Sequence, residues 1–172
     1  MKNFLKWGIF IAAANIVLSL IGYFSGLSTT PDAQYLNIVS MLASLTLLFL
    51  GVRERKMQSP SDFTFGRGWV EGTLISLIAA VIVAVWMFIF LDMIAPDLAD
   101  YIHSEALKNF MKNPPPPENM EAARGMLDFF TSPQGLAIST IFMYTLGGMI
   151  ISLIVSPIVK SIGGTPAQIE NT

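Results

Sequence analysis

The chain has 172 residues, with 10 Lys and Arg against 12 Asp and Glu, one His and no Cys; 53% of residues are apolar, 13% are charged, and mean hydropathy is +0.60. An ordinary soluble domain carries about 25% charge, so this composition cannot cover a water-facing surface and indicates a membrane protein. It disfavours disorder, a collagen-like rod, a disulfide scaffold and, at a net charge of −2, a nucleic-acid binder.

Four stretches lack Asp, Glu, Lys, Arg and His: 7–31, 33–52, 72–91 and 129–159. About 20 apolar residues at 1.5 Å rise cross a ~30 Å hydrocarbon core. Each stretch is therefore long enough for one transmembrane helix and too short for two. The runs are continuously apolar rather than alternating, which argues against barrel strands. The expected fold is all-α, a four-transmembrane-helix bundle in one membrane domain over 1–172. The predicted spans are about 5–26, 31–51, 68–94 and 133–158.

The first span follows Lys2 and Lys6. Its apolar run outlasts a signal-peptide core and lacks a small-residue cleavage pair, so it reads as a retained anchor. Gly26 is expected to close it. A stripe of Gly8, Ala12, Asn15, Ser19, Gly22 and Gly26 lies along one face, spaced for a left-handed crossing. The second span opens on Thr30-Pro31-Asp32, read as an N-cap, a proline in the first turn and an acid. Gly51 is expected to end it. Ala33, Asn37, Ser40, Ser44 and Gly51 form its small or polar stripe.

The connection 53–67 carries Arg53, Glu54, Arg55, Lys56 and Arg67, with Glu54 expected to tie the basic cluster. The third span has Gly68, Gly72, Ser76, Ala80 and Ala84 at four-residue spacing, which suits close small-residue packing of the right-handed kind. Glu71 is the one acid inside a span, one turn from its end. A local ion pair with Arg67 or Lys6 is expected, and a gating or ion-binding carboxylate is the sharper alternative.

Between the third and fourth spans lies a segment 97–131 expected outside the cytoplasm. Positions 98–112 make an amphipathic helix, Pro114 to Pro117 a stiff spacer, and 118–130 a second helical stretch. Together they predict a short helical hairpin on the outer face or over the bundle. His103, three residues after Asp100, reads as a solvated surface histidine rather than a metal ligand. Ser132-Pro133 starts the fourth span with a cap and a first-turn proline. Its stripe is Thr140, Tyr144, Gly148, Ser152 and Ser156.

The stripes hold helices together where no hydrophobic force does so. Asn15, Asn37, Ser76 and Ser152 could alternatively line a polar path. Trp7, Trp69 and Tyr35 fall near span ends as interface anchors, and Trp86 lies deeper, as packing. No nucleophile elbow, zinc helix, phosphate loop or dinucleotide fingerprint is present. The chain is therefore read as a non-enzyme with no cofactor and no metal. Its partners are the lipid bilayer and either further copies of itself or a larger membrane complex. A small oligomeric transporter or channel subunit is the competing reading.

With the N-terminus inside, the inner segments hold seven basic residues and the outer ones three, while eight acids fall outside. Basic excess marks the cytoplasmic side, so both termini are expected there.

The chain resembles a bacterial family of small integral membrane proteins classed as domain of unknown function 4199. The resemblance is carried by Lys2-Asn3, Gly8 and Ala13-Ala14-Asn15, then Gly51-Val52-Arg53-Glu54-Arg55. It continues through Phe63-Thr64-Phe65-Gly66, Gly72, Ile75-Ser76 and Gly147-Gly148, across nearly the whole chain. It implies four spans and a bacterial inner membrane, and no activity.

Overall fold

The computed structural model describes residues 2–30, 32–112 and 114–162, and those residues are helical with no strand. Helix α1 is Asn3–Phe24, α2 Ala33–Gln58, α3 Phe65–Ile89, α4 Pro96–Lys112, α5 Met120–Thr131 and α6 Pro133–Ser161. Four of them are long and apolar enough to cross a membrane: α1, α2, α6, and α3 extended to Ile94. These are the four predicted spans.

The ends repay attention to local chemistry. After α1, Ser25 N–H donates to the Ile21 carbonyl at 3.0 Å, and Gly26 turns left-handed at φ +73°. That φ favours glycine, so Gly26 stops the helix as expected. Ser132 accepts the Gly135 N–H at 3.1 Å, which caps α6 as expected. Thr30 does not cap α2, because its hydroxyl donates back to the Leu27 carbonyl at 2.9 Å. Asp32 occupies the cap position instead, and Pro31 lies outside the described residues.

Gly51 does not end α2, which runs seven residues further to Gln58. A Cβ at Gly51 would sit 2.7 Å from Ile75 Cδ1 and 2.8 Å from Trp7 Cγ. The glycine is a point of close approach between three helices rather than a stop signal. Similarly, α3 begins at Phe65 rather than 68, because Thr64 accepts the Arg67 N–H at 3.3 Å and caps it. Phe65 and Gly66 therefore belong to the first helical turn. At its far end the helix loosens into a π turn over Phe90–Ile94, where the Ala95 N–H reaches the Phe90 carbonyl at 2.7 Å. Pro96 then opens α4.

Helix α3 is the centre of the packing and touches α1, α2 and α6. Its glycines and serines interlock with those of α6, in opposite chain directions. A Cβ on Gly68 would collide with Ser156, one on Gly72 with Ser152, and one on Gly148 with Ser76. The four-residue spacing read in the sequence is thus the seam along which the two backbones meet. Gly8 gives α1 the same approach, with Ile78 Cβ 2.7 Å from where its own Cβ would stand. The main core gathers Ile11, Leu48, Val52, Ile75 and Val159, together with Phe63 of the α2–α3 connection. A second cluster forms at the other end from Phe90, Leu91, Ala95 and Leu98. It joins α4 to the long helices.

Helix α4 spans the predicted amphipathic stretch. There Glu105 accepts a hydrogen bond from Lys108 at 2.6 Å, which raises the ammonium pKa above its ordinary value. α5 follows the proline run. His103 keeps a solvent-exposed side chain, and its Nδ1 also lies 2.8 Å from the Thr131 hydroxyl and its Nε2 3.8 Å from Asp128. These contacts tie α4 to the last turn of α5. The Tyr23 hydroxyl donates to Asp97 at 2.8 Å and ties α4 to α1.

Candidate functional site

Two regions concentrate polar side chains. The first is the end of the molecule where α1 and α3 begin and α2 and α6 finish. Extra helical turns carry Glu54, Arg55 and Lys56 of α2 alongside Asn3, Lys6 and Trp7 of α1. Glu54 accepts from Lys6 Nζ at 2.7 Å, Trp7 Nε1 at 2.8 Å and Gln58 Nε2 at 3.1 Å. It ties α1 to α2 and does not neutralise its neighbours Arg53 and Arg55, as the sequence suggested. Helical geometry explains this, since adjacent residues on a helix point in different directions.

Glu71 is buried, and its partners differ from those expected. Asn3 Nδ2 donates to Oε1 at 2.8 Å, and Arg55 Nε lies 3.8 Å from Oε2. Arg67 turns away to Asp62 at 2.9 Å, and Lys6 is taken by Glu54. A local ion pair at Glu71 is therefore present, with the guanidinium supplied by α2. Arg53 and Gly66 are exposed, and a Cβ on Gly66 would meet nothing within 4 Å. The buried member of the Phe63-Thr64-Phe65-Gly66 run is Phe63.

Lys56 has a role that sequence did not disclose. Its ammonium donates to the carbonyls of Val159 at 3.0 Å, Lys160 at 2.9 Å and Ile162 at 3.3 Å. Those groups end α6, where the helix dipole is negative and carbonyls lack partners. A lysine from one helix thus caps the C-terminus of another. Nothing local in the sequence pairs positions more than a hundred residues apart.

The second region is a cavity of about 640 Å³ between α1, α2, α3 and α6, reaching Leu98 and Ile102 of α4. It exists because α2 leans on α1 and α3 mainly through its C-terminal half. Leu48, Gly51 and Val52 are its buried residues, while Asn37, Ile38, Val39, Met41 and Leu42 are exposed. Among the described residues no charged one lines the cavity. Its polar lining is neutral. Asn15 Nδ2 donates to the Ile11 carbonyl at 2.8 Å and to Ser44 Oγ at 3.0 Å. Ser40 donates to Asn15 Oδ1, and Ser44 Oγ lies 3.0 Å from the Tyr144 hydroxyl. Asn15 therefore centres a hydrogen-bonded chain that links α1, α2 and α6.

The four residues considered as one polar path separate here. Asn15 is the hub of that chain. Asn37 lines the cavity and is exposed. Ser76 lines it too, but donates to the Gly72 carbonyl at 3.0 Å. Ser152 is fully buried in the α3–α6 seam, where it donates to the Gly148 carbonyl at 2.6 Å. The lining stops at Ser76, Gly148 and Ile151, so the seam closes the cavity toward the charged end. Trp86 packs as expected, stacked 5.5 Å from Phe90, and it also donates to Ser19 at 3.0 Å on the cavity wall. Such a site can recognise shape and a neutral hydrogen-bonding group.

The family model described as Protein of unknown function (DUF4199) matches residues 6–161. No curated protein and no solved structure matches the chain.

Proposed function

The chain belongs to the DUF4199 family, and from that premise we propose that it is a multi-pass protein of the bacterial inner membrane. In this reading it is a structural or accessory subunit without catalytic chemistry of its own. One observation carries the membrane assignment. In α1, α2 and α6 only 17% of the most apolar window is buried. Large apolar side chains on them are exposed, among them Phe10, Val17 and Ile21 of α1, Val39 and Leu42 of α2, and Phe142, Ile150 and Ile154 of α6, a surface far larger than water tolerates on a soluble monomer. Lipid is the solvent that suits it, and the four long helices form a transmembrane bundle within it.

The same reading gives the orientation. The charged end faces the cytoplasm, because Lys and Arg exceed acids there. The α4–α5 segment, tied by His103 and Thr131, is then a helical hairpin on the outer face. Both termini are cytoplasmic. The neutral interior supports an accessory role rather than proton or ion coupling: the buried carboxylate Glu71 sits at the charged end, bonded to Asn3.

The cavity favours a second reading, a small oligomeric transporter or channel subunit, since a neutral polar wall could belong to a shared pore. Native-mass determination of the chain isolated in nanodiscs separates the two. A monomer with a dry core, or co-purification within a larger complex, is expected. A discrete homo-oligomer with a hydrated axis along Asn15 or Ser76 would overturn the accessory role.

A further inference from the structure

We propose that the cavity is a binding site for a neutral long-chain amphiphile drawn from the membrane, one with a single hydroxyl or carbonyl group. The inference rests on the integral-membrane reading above.

Shape comes first. On α3 the lining runs from Ser76 to Leu91 and on α2 from Ala33 to Leu48, each about 22 Å at 1.5 Å per residue. The volume of about 640 Å³ lies inside the range usual for small-molecule sites, roughly 300–1,000 Å³. The cavity is a trough of that length, open along one side where Asn37, Met41 and Met143 are exposed, and it suits an extended hydrocarbon chain reached from the bilayer.

Chemistry varies along that length. Toward α4 the wall is largely Val83, Met87, Phe90, Leu91, Leu98 and Ile102, interrupted by the neutral Ser28 and Asn37. Met87 lines the wall while Met41 and Met143, both exposed, border its open side, and their unbranched side chains adapt to an irregular chain. Midway along stand Asn15, Ser40, Ser44 and Tyr144, with Ile11, Leu48 and Ile151 beyond them at the closed end. Ser44 already accepts from Asn15, so when it donates to Tyr144 the phenol proton is free for a ligand. An unsubstituted acyl chain would lay only methylenes against these groups. A molecule that brings a small neutral polar group to this depth satisfies them instead. A charged head is disfavoured, because among the described residues no charged side chain lines the wall to offset its desolvation.

Trp86 on the wall supplies the readout. The full chain is reconstituted in nanodiscs of dioleoylphosphatidylcholine and titrated with a dibrominated octadecanol, whose bromines quench nearby indoles. Quenching is expected to saturate, and the saturable part is expected to vanish in Trp86→Phe. The matching dibrominated octadecane, which lacks the hydroxyl, should bind about tenfold more weakly, the equivalent of one hydrogen bond. Gly147 lies on the lining stripe of α6, and a Cβ there meets nothing within 4 Å. Gly147→Phe should therefore fill the cavity and abolish saturation. Should Gly147→Phe fail to insert, Ser40→Ala with Ser44→Ala decides instead, by bringing the alcohol to the affinity of the alkane. Quenching that is merely proportional to probe in a carbonate-resistant chain overturns the proposal. So does saturation unchanged in Gly147→Phe, or equal affinity for alcohol and alkane. Extraction of the chain itself by alkaline carbonate defeats the membrane reading, and is told apart by being seen before any probe is added.

Discussion

Replacing Gly72 by alanine tests whether the α3–α6 seam holds the molecule together. The new Cβ would overlap Ser152 Oγ and lie 2.9 Å from Ser152 Cβ. Carbon atoms prefer about 3.5–4.0 Å, so the helices must part by roughly 0.6–1 Å. A gap of that size forfeits about a quarter to a half of each dispersion contact. The loss spreads along the seam, because Gly68 against Ser156 and Gly148 against Ser76 open together. The expected cost is about 2 kcal/mol, the middle of the range for overpacking. The assay is reversible unfolding in mixed micelles with rising dodecyl sulfate, followed by Trp fluorescence and far-ultraviolet circular dichroism. Ser152→Gly removes the obstructing group, so the double variant should recover at least about 1 kcal/mol of the loss as a coupling energy. Gly66→Ala is the control, since nothing stands within 4 Å of its Cβ; it should be neutral or stabilise by up to about 1 kcal/mol. The reasoning fails if Gly72→Ala behaves like Gly66→Ala, or if Ser152→Gly gives no rescue.

Further outcomes follow from the charged end and the core. Glu54→Gln leaves Lys6 without its carboxylate and should lower the unfolding midpoint in the same assay by less than Gly72→Ala does, since the pair is partly exposed. Lys56→Met should raise amide exchange in the last turn of α6 by several-fold and leave its middle unchanged, whereas uniform exchange along α6 would remove the capping role. Phe63→Ala should cost about 3 kcal/mol, as expected for a buried aromatic, while Phe65→Ala, 42% exposed, should cost under about 1 kcal/mol. Equal losses for the two phenylalanines would contradict the packing described here.

The long elements were legible because a bilayer imposes a crude, strong signal. Charge-free runs near 20 residues have few alternatives to a transmembrane helix. The Gly68-Gly72-Ser76 spacing was legible too, since close packing in lipid needs small residues at helical intervals. Glycine's double use is what misled at Gly51. The same residue serves as a stop at Gly26, where φ is positive, and as a contact point at Gly51, where Trp7 and Ile75 press in. Only the neighbours distinguish the two, and they lie far away in sequence. The partners of Glu71, Glu54 and Lys56 were hidden for that reason: each is chosen by the relative rotation of two helices. The cavity was hidden as well, because it depends on α2 burying only Leu48, Gly51 and Val52 near its C-terminal half, which no local pattern encodes. Its components, Asn15, Ser40, Ser44 and Tyr144, could be named as small or polar stripe members but not joined.

The central claim is that four helices cross a membrane with the charged end on one side and α4 and α5 on the other. The chain contains no cysteine, so single cysteines can be introduced without altering the background. Ser61→Cys lies in the α2–α3 connection, Asn119→Cys just before α5, and Val85→Cys within α3. A membrane-impermeant maleimide applied to intact cells should label the cysteine at position 119 and spare the one at 61 until the membrane is opened. The cysteine at 85 should stay unlabelled under both conditions. Labelling of positions 61 and 119 from the same side, or ready labelling of position 85, would contradict the account.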